Sequence, residues 1–240
     1  MFTNNFDLTD FVNTEVNKTA FVFATGPSLG DALPFFLDEP TSNKILISCN
    51  DIDIFTDLIP DYWVFANSIQ TIASMIERFA KFPNSVVVYA DSVDTTPNEW
   101  VKQNLLTNKF ISYDQRHFNN QKCPHCPNGC ANFIENRFTI QELLSKFTKT
   151  DFLYSPGDTV AVHMLALAII LGCKKIYLAG VDLDYSKGYY GSNMINNDSF
   201  GFFISNILRD FKIINECAKS VGVEIYCYST NTDLLNIFNN

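Results

Sequence analysis

The sequence predicts an α/β fold in which a mostly parallel sheet carries helices on both of its faces. Short runs rich in Val, Ile and Phe alternate along the chain with segments whose apolar residues recur every three or four positions. Strands that are apolar throughout must be covered on both faces, which is typical of parallel sheets. The chain has 240 residues, of which 47% are hydrophobic and 18% charged, so it can bury a large core. We expect one domain spanning residues 1–240.

These patterns place the elements along the chain. The predicted strands are residues 20–24, 44–48, 62–66, 85–89, 175–179 and 224–228. The predicted helices are residues 69–81, 140–147, 159–171 and 203–220. Two polar segments interrupt the alternation, and we interpret residues 108–137 as an inserted Cys-rich loop and residues 184–200 as a lid-like loop.

Charge and composition exclude several classes of protein. The formal charge of −9 argues against a general nucleic-acid binder, which needs a basic surface. An anionic ligand must therefore be held by local N–H groups and hydroxyls. No apolar run is long enough to span a membrane, and the N-terminus lacks the pattern of a secretory signal. The seven cysteines are not spaced as a disulfide framework, so we expect a cytoplasmic protein.

A glycine-containing turn directly follows the first predicted strand. In open α/β sheets, ligands bind at the carboxyl ends of the strands, which is where Gly26, Pro27 and Ser28 lie. Gly26 would let the backbone approach a phosphate, and Ser28 would cap the next helix while offering a hydroxyl. The segment matches neither the dinucleotide-binding glycine pattern nor a P-loop. An ordinary tight turn with a serine cap explains the same residues.

Polar residues also follow three other predicted strands. Asn50 and Asn67 could offer amide groups to a base or a ribose, although asparagine is also a common turn residue. Asp182 could hold Mg²⁺ between phosphates, or it could cap the following loop. His163 lies within an apolar helix and is interpreted as a core histidine.

Four segments together resemble a known family. The strings FATGPSL, SCND, PDYWVFANS and GDTVAVHMLALAIILGCKKIYLAGVDLDY resemble the MptE-like family and the related family 42 bacterial sialyltransferases. The resemblance implies a Rossmann-like fold that binds an activated nucleotide. In the sialyltransferases the donor is a CMP-sugar, whereas the archaeal pterin enzymes transfer a pyrophosphoryl group from ATP.

The resemblance also implies roles for individual residues. The turn residues Gly26, Pro27 and Ser28 would lie along the nucleotide. The other residues implied to contact it are Asn50 and Asn67 at the base or sugar, Gly157 and Thr159 at a helix start, and Tyr190 as a donor to the leaving phosphate.

The sequence departs from the sialyltransferases in its histidines. Those enzymes carry a catalytic histidine after the tyrosine-containing loop, but His117, His125 and His163 all lie elsewhere in this chain. Asp184 or Asp198 would then replace the base, or the acceptor chemistry differs, or the protein binds without catalysing. Asp182, Asp184 and Tyr190 are the candidate catalytic residues.

A cysteine cluster lies within the predicted inserted loop. Cys123, Cys126 and Cys130 are spaced closely enough to bind zinc together with His117 or His125. An iron–sulfur centre would need a further ligand that the sequence does not identify. Three unligated loop cysteines explain the pattern equally well. The remaining cysteines lie in apolar runs and are interpreted as core residues: Cys49, Cys173, Cys217 and Cys227.

Three functions follow from these observations. The first is a glycosyltransferase-like enzyme that uses a nucleotide-activated sugar in surface-glycan synthesis, with a glycan or small-molecule acceptor. The second is an ATP- and Mg²⁺-dependent transferase of the pyrophosphokinase type. The third is a nucleotide-binding module without catalytic activity.

Overall fold

The computed structural model describes residues 8–65, 69–91, 103–105, 108–116, 154–156, 159–184, 188, 190–191 and 204–239. The strands are β1 Thr19–Phe23, β2 Lys44–Cys49, β3 Tyr62–Phe65, β4 Val86–Asp91, β5 Phe110–Arg116, β6 Tyr154–Pro156, β7 Lys175–Ala179 and β8 Glu224–Cys227. The α-helices in these ranges are α1 Leu29–Asp38, α2 Ile52–Phe55, α3 Ile69–Phe79, α4 Val160–Ile170, α5 Ile204–Ser220 and α6 Thr232–Phe238. Short 3₁₀ helices lie at Leu8–Phe11 and Thr41–Asn43.

The strands form one eight-stranded sheet in the order β6-β5-β4-β3-β2-β1-β7-β8. Every pairing between neighbouring strands is parallel. The strand order runs outward from β1 to β6 on one side and then reverses, so that β7 pairs with the other side of β1. This is a Rossmann-like sheet, and its topological switch point lies between β1 and β7. The predicted α/β class is confirmed.

Each face of the sheet carries its own hydrophobic cluster. Alternate residues of β1 point to opposite faces, so Ala20 and Val22 pack with α4, α5 and α6, while Phe21 and Phe23 pack with α1 and α3. Every residue of α4 from 161 to 170 is buried, which explains why this helix is apolar all round. His163 on this helix is fully buried, as predicted for a core histidine.

The structure corrects the sequence prediction at one edge of the sheet. Residues 108–137 were expected to form an inserted loop, but Phe110–Arg116 is strand β5 and pairs with β4. Its sequence, FISYDQR, has only two apolar residues at its start, so it lacks the apolar run that predicts a strand. The three-residue β6 was also missed. The predicted helix at 140–147 lies outside the described residues.

Two further predictions concern the described residues directly. No described helix is long and apolar enough to cross a membrane. The cysteines interpreted as core residues are all buried and free: Cys49, Cys173, Cys217 and Cys227.

Candidate functional site

A cavity of about 270 Å³ lies at the carboxyl ends of β1, β2 and β7. Its lining residues are 24–27 after β1, 49–50 at the end of β2, 159–161 at the start of α4, and 180–184 with 188 after β7. The cavity therefore occupies the topological switch point, which is where open α/β sheets bind their ligands. It brings together residues that are more than 150 positions apart in the sequence.

One wall of the cavity is built from two backbone segments in close contact. The N–H of Gly26 donates to the carbonyl of Gly180 at 2.8 Å. A Cβ atom on Gly26 would lie 2.5 Å from both that carbonyl oxygen and Asp182 Oδ2. Gly180 has a φ of +75°, and a Cβ there would lie 2.1 Å from the carbonyl oxygen of Ala24. Both glycines are thus required by the packing of the two strand ends, whether or not a ligand is bound.

The Ser28 hydroxyl connects the same turn to the neighbouring strands by hydrogen bonds. Its hydroxyl donates to the carbonyl of Tyr228 at 3.0 Å and accepts the N–H of Gly180 at 3.0 Å. Ser28 is 2% exposed, and its side chain makes no capping hydrogen bond to α1. The predicted side-chain cap is wrong, because this hydroxyl is occupied by the bonds that hold three strand ends together.

Asp182 forms a second set of hydrogen bonds across the strand ends. Its Oδ2 accepts the N–H of Ser28 at 2.9 Å, and its Oδ1 accepts the N–H of Thr230 at 2.7 Å. Asp182 is 4% exposed and also lines the cavity. Asp182 therefore connects the turn after β1 with the segment after β8, rather than capping the loop that follows it.

Asn50 presents an unsatisfied acceptor at the end of β2. Its Oδ1 is buried and has no hydrogen-bond partner among the described residues. Its backbone has a φ of +50° and is held in place because its carbonyl accepts the Trp63 Nε1–H at 2.9 Å. Burial, with a further contribution from Asp51, raises the pKa of the neighbouring Cys49 thiol to about 12, which keeps this thiol protonated at neutral pH.

The N-terminus of α4 forms the opposite side of the cavity. Thr159 caps this helix, because its hydroxyl accepts the N–H of Ala161 at 3.4 Å. Val160 and Ala161 line the cavity with the first turn of the helix. The N–H groups of a first helical turn and the helix dipole together favour an anion. Thr159 thus lies at the predicted helix start and in the cavity wall.

The segment after β7 supplies the last wall. Leu183 has a φ of +53°, a conformation that costs a residue other than glycine about 1–2 kcal/mol. Asp184 and Gly188 also line the cavity. Nothing in the sequence marks Leu183, because a left-handed leucine has no compositional signal. Gly180 could have been found as a glycine that interrupts a strand end.

Tyr190 lies close to the cavity without lining it. Its N–H donates to the carbonyl of Thr25 at 2.7 Å. Its ring packs against Gly30, where a Cβ atom would lie 3.1 Å from Tyr190 Cε2. The structure thus assigns Tyr190 a packing contact with α1.

With this geometry established, sequence comparison identifies the family. Residues 2–188 match the family described as 6-hydroxymethylpterin diphosphokinase MptE-like. The chain belongs to this family. The match includes the β1 turn, Asn50, Thr159 and Asp182, which line or support the cavity of this MptE-like protein. No curated protein sequence matches the chain.

A solved structure shares the fold. The MptE-like chain resembles the MAf glycosyltransferase from Magnetospirillum magneticum AMB-1 with a TM-score of 0.52 and 14% sequence identity. The similarity covers 94% of this chain and 36% of the glycosyltransferase, so the chain spans about a third of that protein. At this level of identity the likeness concerns the fold alone.

Several predicted site residues lie outside the described part of the MptE-like protein. They are Asn67, Gly157, His117, Cys123, Cys126 and Cys130. Among the residues that the structure describes, no group of three His, Cys, Asp or Glu side chains could hold a metal ion.

Proposed function

We propose that this protein is a transferase that binds an activated nucleotide in the cavity at the switch point, and that it acts as a glycosyltransferase on a nucleotide-activated sugar such as a CMP-sugar. The acceptor would be a glycan or a small molecule in surface-glycan synthesis. The observation that carries this proposal is the buried, unpartnered Oδ1 of Asn50 in the cavity wall.

The buried Oδ1 of Asn50 has no partner in the described part of the chain, so a ligand that offers a hydrogen-bond donor to it would bind more tightly. Leaving such a group unsatisfied costs about 1–3 kcal/mol, so a ligand that brings an N–H or O–H group to Asn50 recovers that free energy. The exocyclic amino group of cytosine or adenine and the hydroxyls of ribose are donors of this kind. Uracil has no exocyclic amino group, so a contact between Asn50 and an exocyclic amino group would favour cytosine over uracil.

The phosphates would be held at the other side of the cavity. The protein carries a net charge of −9, so its overall field repels a nucleotide. The first turn of α4, capped by Thr159, supplies a local positive potential through the helix dipole. Asn50 and Thr159 would thereby set the orientation of the ligand. Its donor group would lie at the end of β2 and its phosphates at the start of α4.

The size of the cavity restricts which part of the ligand it holds. Its volume of about 270 Å³ lies at the lower limit of ligand pockets, which is about 300 Å³. That volume suits a nucleoside phosphate and leaves the transferred group outside, beside the segment after β7. Asp184 lines the cavity on this side and is the carboxylate we assign as general base. His163 has no such role because it is fully buried in the core.

A thermal-shift panel of CMP, UMP, GDP and ATP, each with and without Mg²⁺, tests the proposal. A ligand present at a hundred times its dissociation constant adds about 2.7 kcal/mol of stability. We expect CMP to stabilise the protein without metal, and UMP to do so less. Absence of stabilisation by every nucleotide would reject the proposal.

Two matched asparagine variants make the panel specific to the cavity. Asn50 and Asn13 both have positive φ values, of +50° and +58°, which glycine adopts freely. Asn50→Gly should keep the fold and reduce the CMP shift, because it removes the acceptor. Asn13→Gly changes the same residue type in the segment before β1, where the Asn13 N–H donates to Ile170, and should leave the CMP shift unchanged.

A second candidate function follows from the family itself. In an ATP- and Mg²⁺-dependent diphosphotransferase, Asp182 and Asp184, which both line the cavity, would hold the Mg²⁺, and the metal would neutralise phosphate charge. Stabilisation by ATP only in the presence of Mg²⁺ would favour this function over the glycosyltransferase. Binding of a nucleotide without turnover of any donor would instead leave a non-catalytic nucleotide-binding module.

We also propose a structural zinc site in the chain. Cys123, Cys126 and Cys130 provide thiolates at short spacing, and His117 is the fourth ligand we assign. Elemental analysis of protein purified without added metal tests this site. About one zinc per chain is expected, and Cys130→Ser should lower that content. A chain without zinc or iron, with three thiols that titrate freely in this segment, would reject it.

A further inference from the structure

Tyr190 and Gly30 form a contact that the transfer chemistry does not explain. Tyr190 lies at the end of the segment that lines the cavity after β7, two residues beyond Gly188. Its backbone N–H donates to the carbonyl of Thr25, itself a cavity residue, at 2.7 Å. Its ring lies against α1 at Gly30, so Tyr190 contacts the β1–α1 region at two points.

Gly30 is the residue that lets the ring lie so close to α1. It is the second residue of the helix, a position where glycine is a poorer helix former than alanine. A Cβ there would come within 3.1 Å of Tyr190 Cε2, which is closer than ordinary van der Waals contact. Helix propensity therefore favours alanine at this position, while contact with the tyrosine ring favours glycine.

We propose that the Tyr190 ring, packed on Gly30, is a latch that positions the cavity wall formed by Leu183, Asp184 and Gly188. The inference rests on the proposed nucleotide site and gives Tyr190 a positioning role through its ring. This role differs from donation by the phenolic hydroxyl to a leaving phosphate. It also makes Gly30, which does not touch the cavity, a determinant of ligand affinity.

The ring and hydroxyl roles of Tyr190 are separated by two variants. Tyr190→Phe keeps the ring and should change the dissociation constant for CMP, or for ATP with Mg²⁺, by no more than about twofold. Tyr190→Ala removes the ring and should weaken binding about tenfold, because the residues of the cavity wall would lose the contact that positions them. Equal losses in the two variants would show that the hydroxyl contacts the ligand and would overturn the proposal, as would unchanged affinity in Tyr190→Ala.

A double-mutant cycle tests the contact with Gly30. Gly30→Ala should weaken nucleotide binding in the wild-type background and have no further effect in the Tyr190→Ala background, because its only proposed action is to displace the ring. Independent, additive losses would overturn the latch. Asp31→Ala, the exposed neighbour on α1, is the control and should leave the affinity within about twofold of wild type.

The latch can be tested even if no nucleotide binds. The same cycle is then measured by urea denaturation without ligand. Gly30→Ala should lower the unfolding midpoint in the presence of Tyr190 and raise it in the Tyr190→Ala background, where only helix propensity acts. Midpoints that shift in the same direction in both backgrounds would reject the latch. Failure of wild-type protein to bind any nucleotide rejects the proposed function and leaves this stability result to decide the latch.

Discussion

The two ends of the sheet differ in how fully their polar groups are partnered. At the amino ends of the strands, Tyr62 donates to Glu15 Oε1 at 3.0 Å, and Lys18 Nζ lies 2.8 Å from Glu15 Oε2. Asp61 accepts the N–H of Leu46 at 2.8 Å. Each of these side chains serves a neighbouring part of the fold, so this end is built for stability.

The carboxyl ends of the strands combine tight packing with unsatisfied and strained groups. Asn50 keeps a buried acceptor without a partner, and Leu183 holds a left-handed backbone conformation. Both residues line the cavity, whose wall Gly26 and Gly180 build by close backbone contact. Strain and unsatisfied groups persist where function selects them. The comparison thus supports the proposal that the ligand binds at the carboxyl end of the sheet.

The strongest test of the carboxyl end is Gly180→Ala. The new Cβ would lie 2.1 Å from the carbonyl oxygen of Ala24, and the φ of +75° is unfavourable for alanine. We expect the free energy of unfolding, measured in urea, to fall by about 4 kcal/mol or more. Gly222→Ala is the matched control, because Gly222 has a φ of +70° with no atom within 4 Å of its Cβ position. It should cost only about 1 kcal/mol.

Gly26→Val is a second variant that tests the close packing at the carboxyl ends of the strands. The predicted role of Gly26 in approaching a phosphate would leave this variant folded and unable to bind. The structure instead places its Cβ 2.5 Å from backbone and from Asp182, so we expect a loss of stability together with any loss of binding. A variant with native stability would show that the two strand ends can separate.

A smaller effect is expected from Asp182→Asn. Asparagine retains one acceptor but turns an N–H donor towards one of the two backbone N–H groups, those of Ser28 and Thr230. Unfolding in urea should show a loss of about 2–3 kcal/mol. Asp31→Asn, at an exposed position, should cost less than about 1 kcal/mol. Asp182→Asn could instead keep full stability and lose only Mg²⁺-dependent nucleotide binding. Asp182 would then serve to hold the metal rather than to connect Ser28 and Thr230.

The fold was largely predictable from the sequence because its central strands are unusually apolar. For β7 the predicted bounds, 175–179, are those of the structure, since KIYLA is bounded by turn residues on both sides. β5 was missed because the polar half of FISYDQR carries no hydrophobic signal. Parallel pairing with β4 at the far side of the sheet holds it, and such long-range pairing has no local pattern.

The candidate site was predictable in position but only partly in role. Strand ends followed by Gly26, Asn50 and Asp182 correctly indicated the end of the sheet where the cavity lies. The sequence did not show that Ser28 and Asp182 bond to each other, because the two residues are 154 positions apart. Roles that depend on such contacts follow only from the folded chain.

The amino end is tested by Tyr62→Phe, with a still smaller expected effect. The variant removes the hydrogen bond to Glu15 and leaves the ring packed against Phe11. Calorimetric unfolding should show a loss of about 1 kcal/mol, and the CMP shift should be unchanged. Altered nucleotide affinity in this variant would mean that the two ends of the sheet are coupled.

The two ends of the sheet can also be compared by the pH dependence of the stability that a buried thiol contributes at each end. Cys49 lies in the cavity wall and Cys173 at the amino end, yet burial raises the pKa of each thiol to about 12 from an ordinary value of 9.0. Asp51 adds to the shift at Cys49, and Glu15 adds to it at Cys173 while Lys18 opposes it. A thiol with a raised pKa in the folded state ionises more readily when the chain unfolds. Its contribution to stability is therefore complete below pH 9 and is lost as the pH rises towards 12.

Each thiol should accordingly lower the free energy of unfolding by about 1 kcal/mol between pH 8 and pH 10. Removing one of them, in Cys49→Ala or Cys173→Ala, should reduce the loss of stability over that pH range by the same amount in either variant. Urea denaturation at the two pH values measures this difference. A flat contribution from Cys49 alone would mean that the pKa of its thiol in the folded protein is close to the ordinary value of 9.0. Cys49 would then be a reactive group in the cavity, and chemistry as well as binding would have to be assigned to the end of β2.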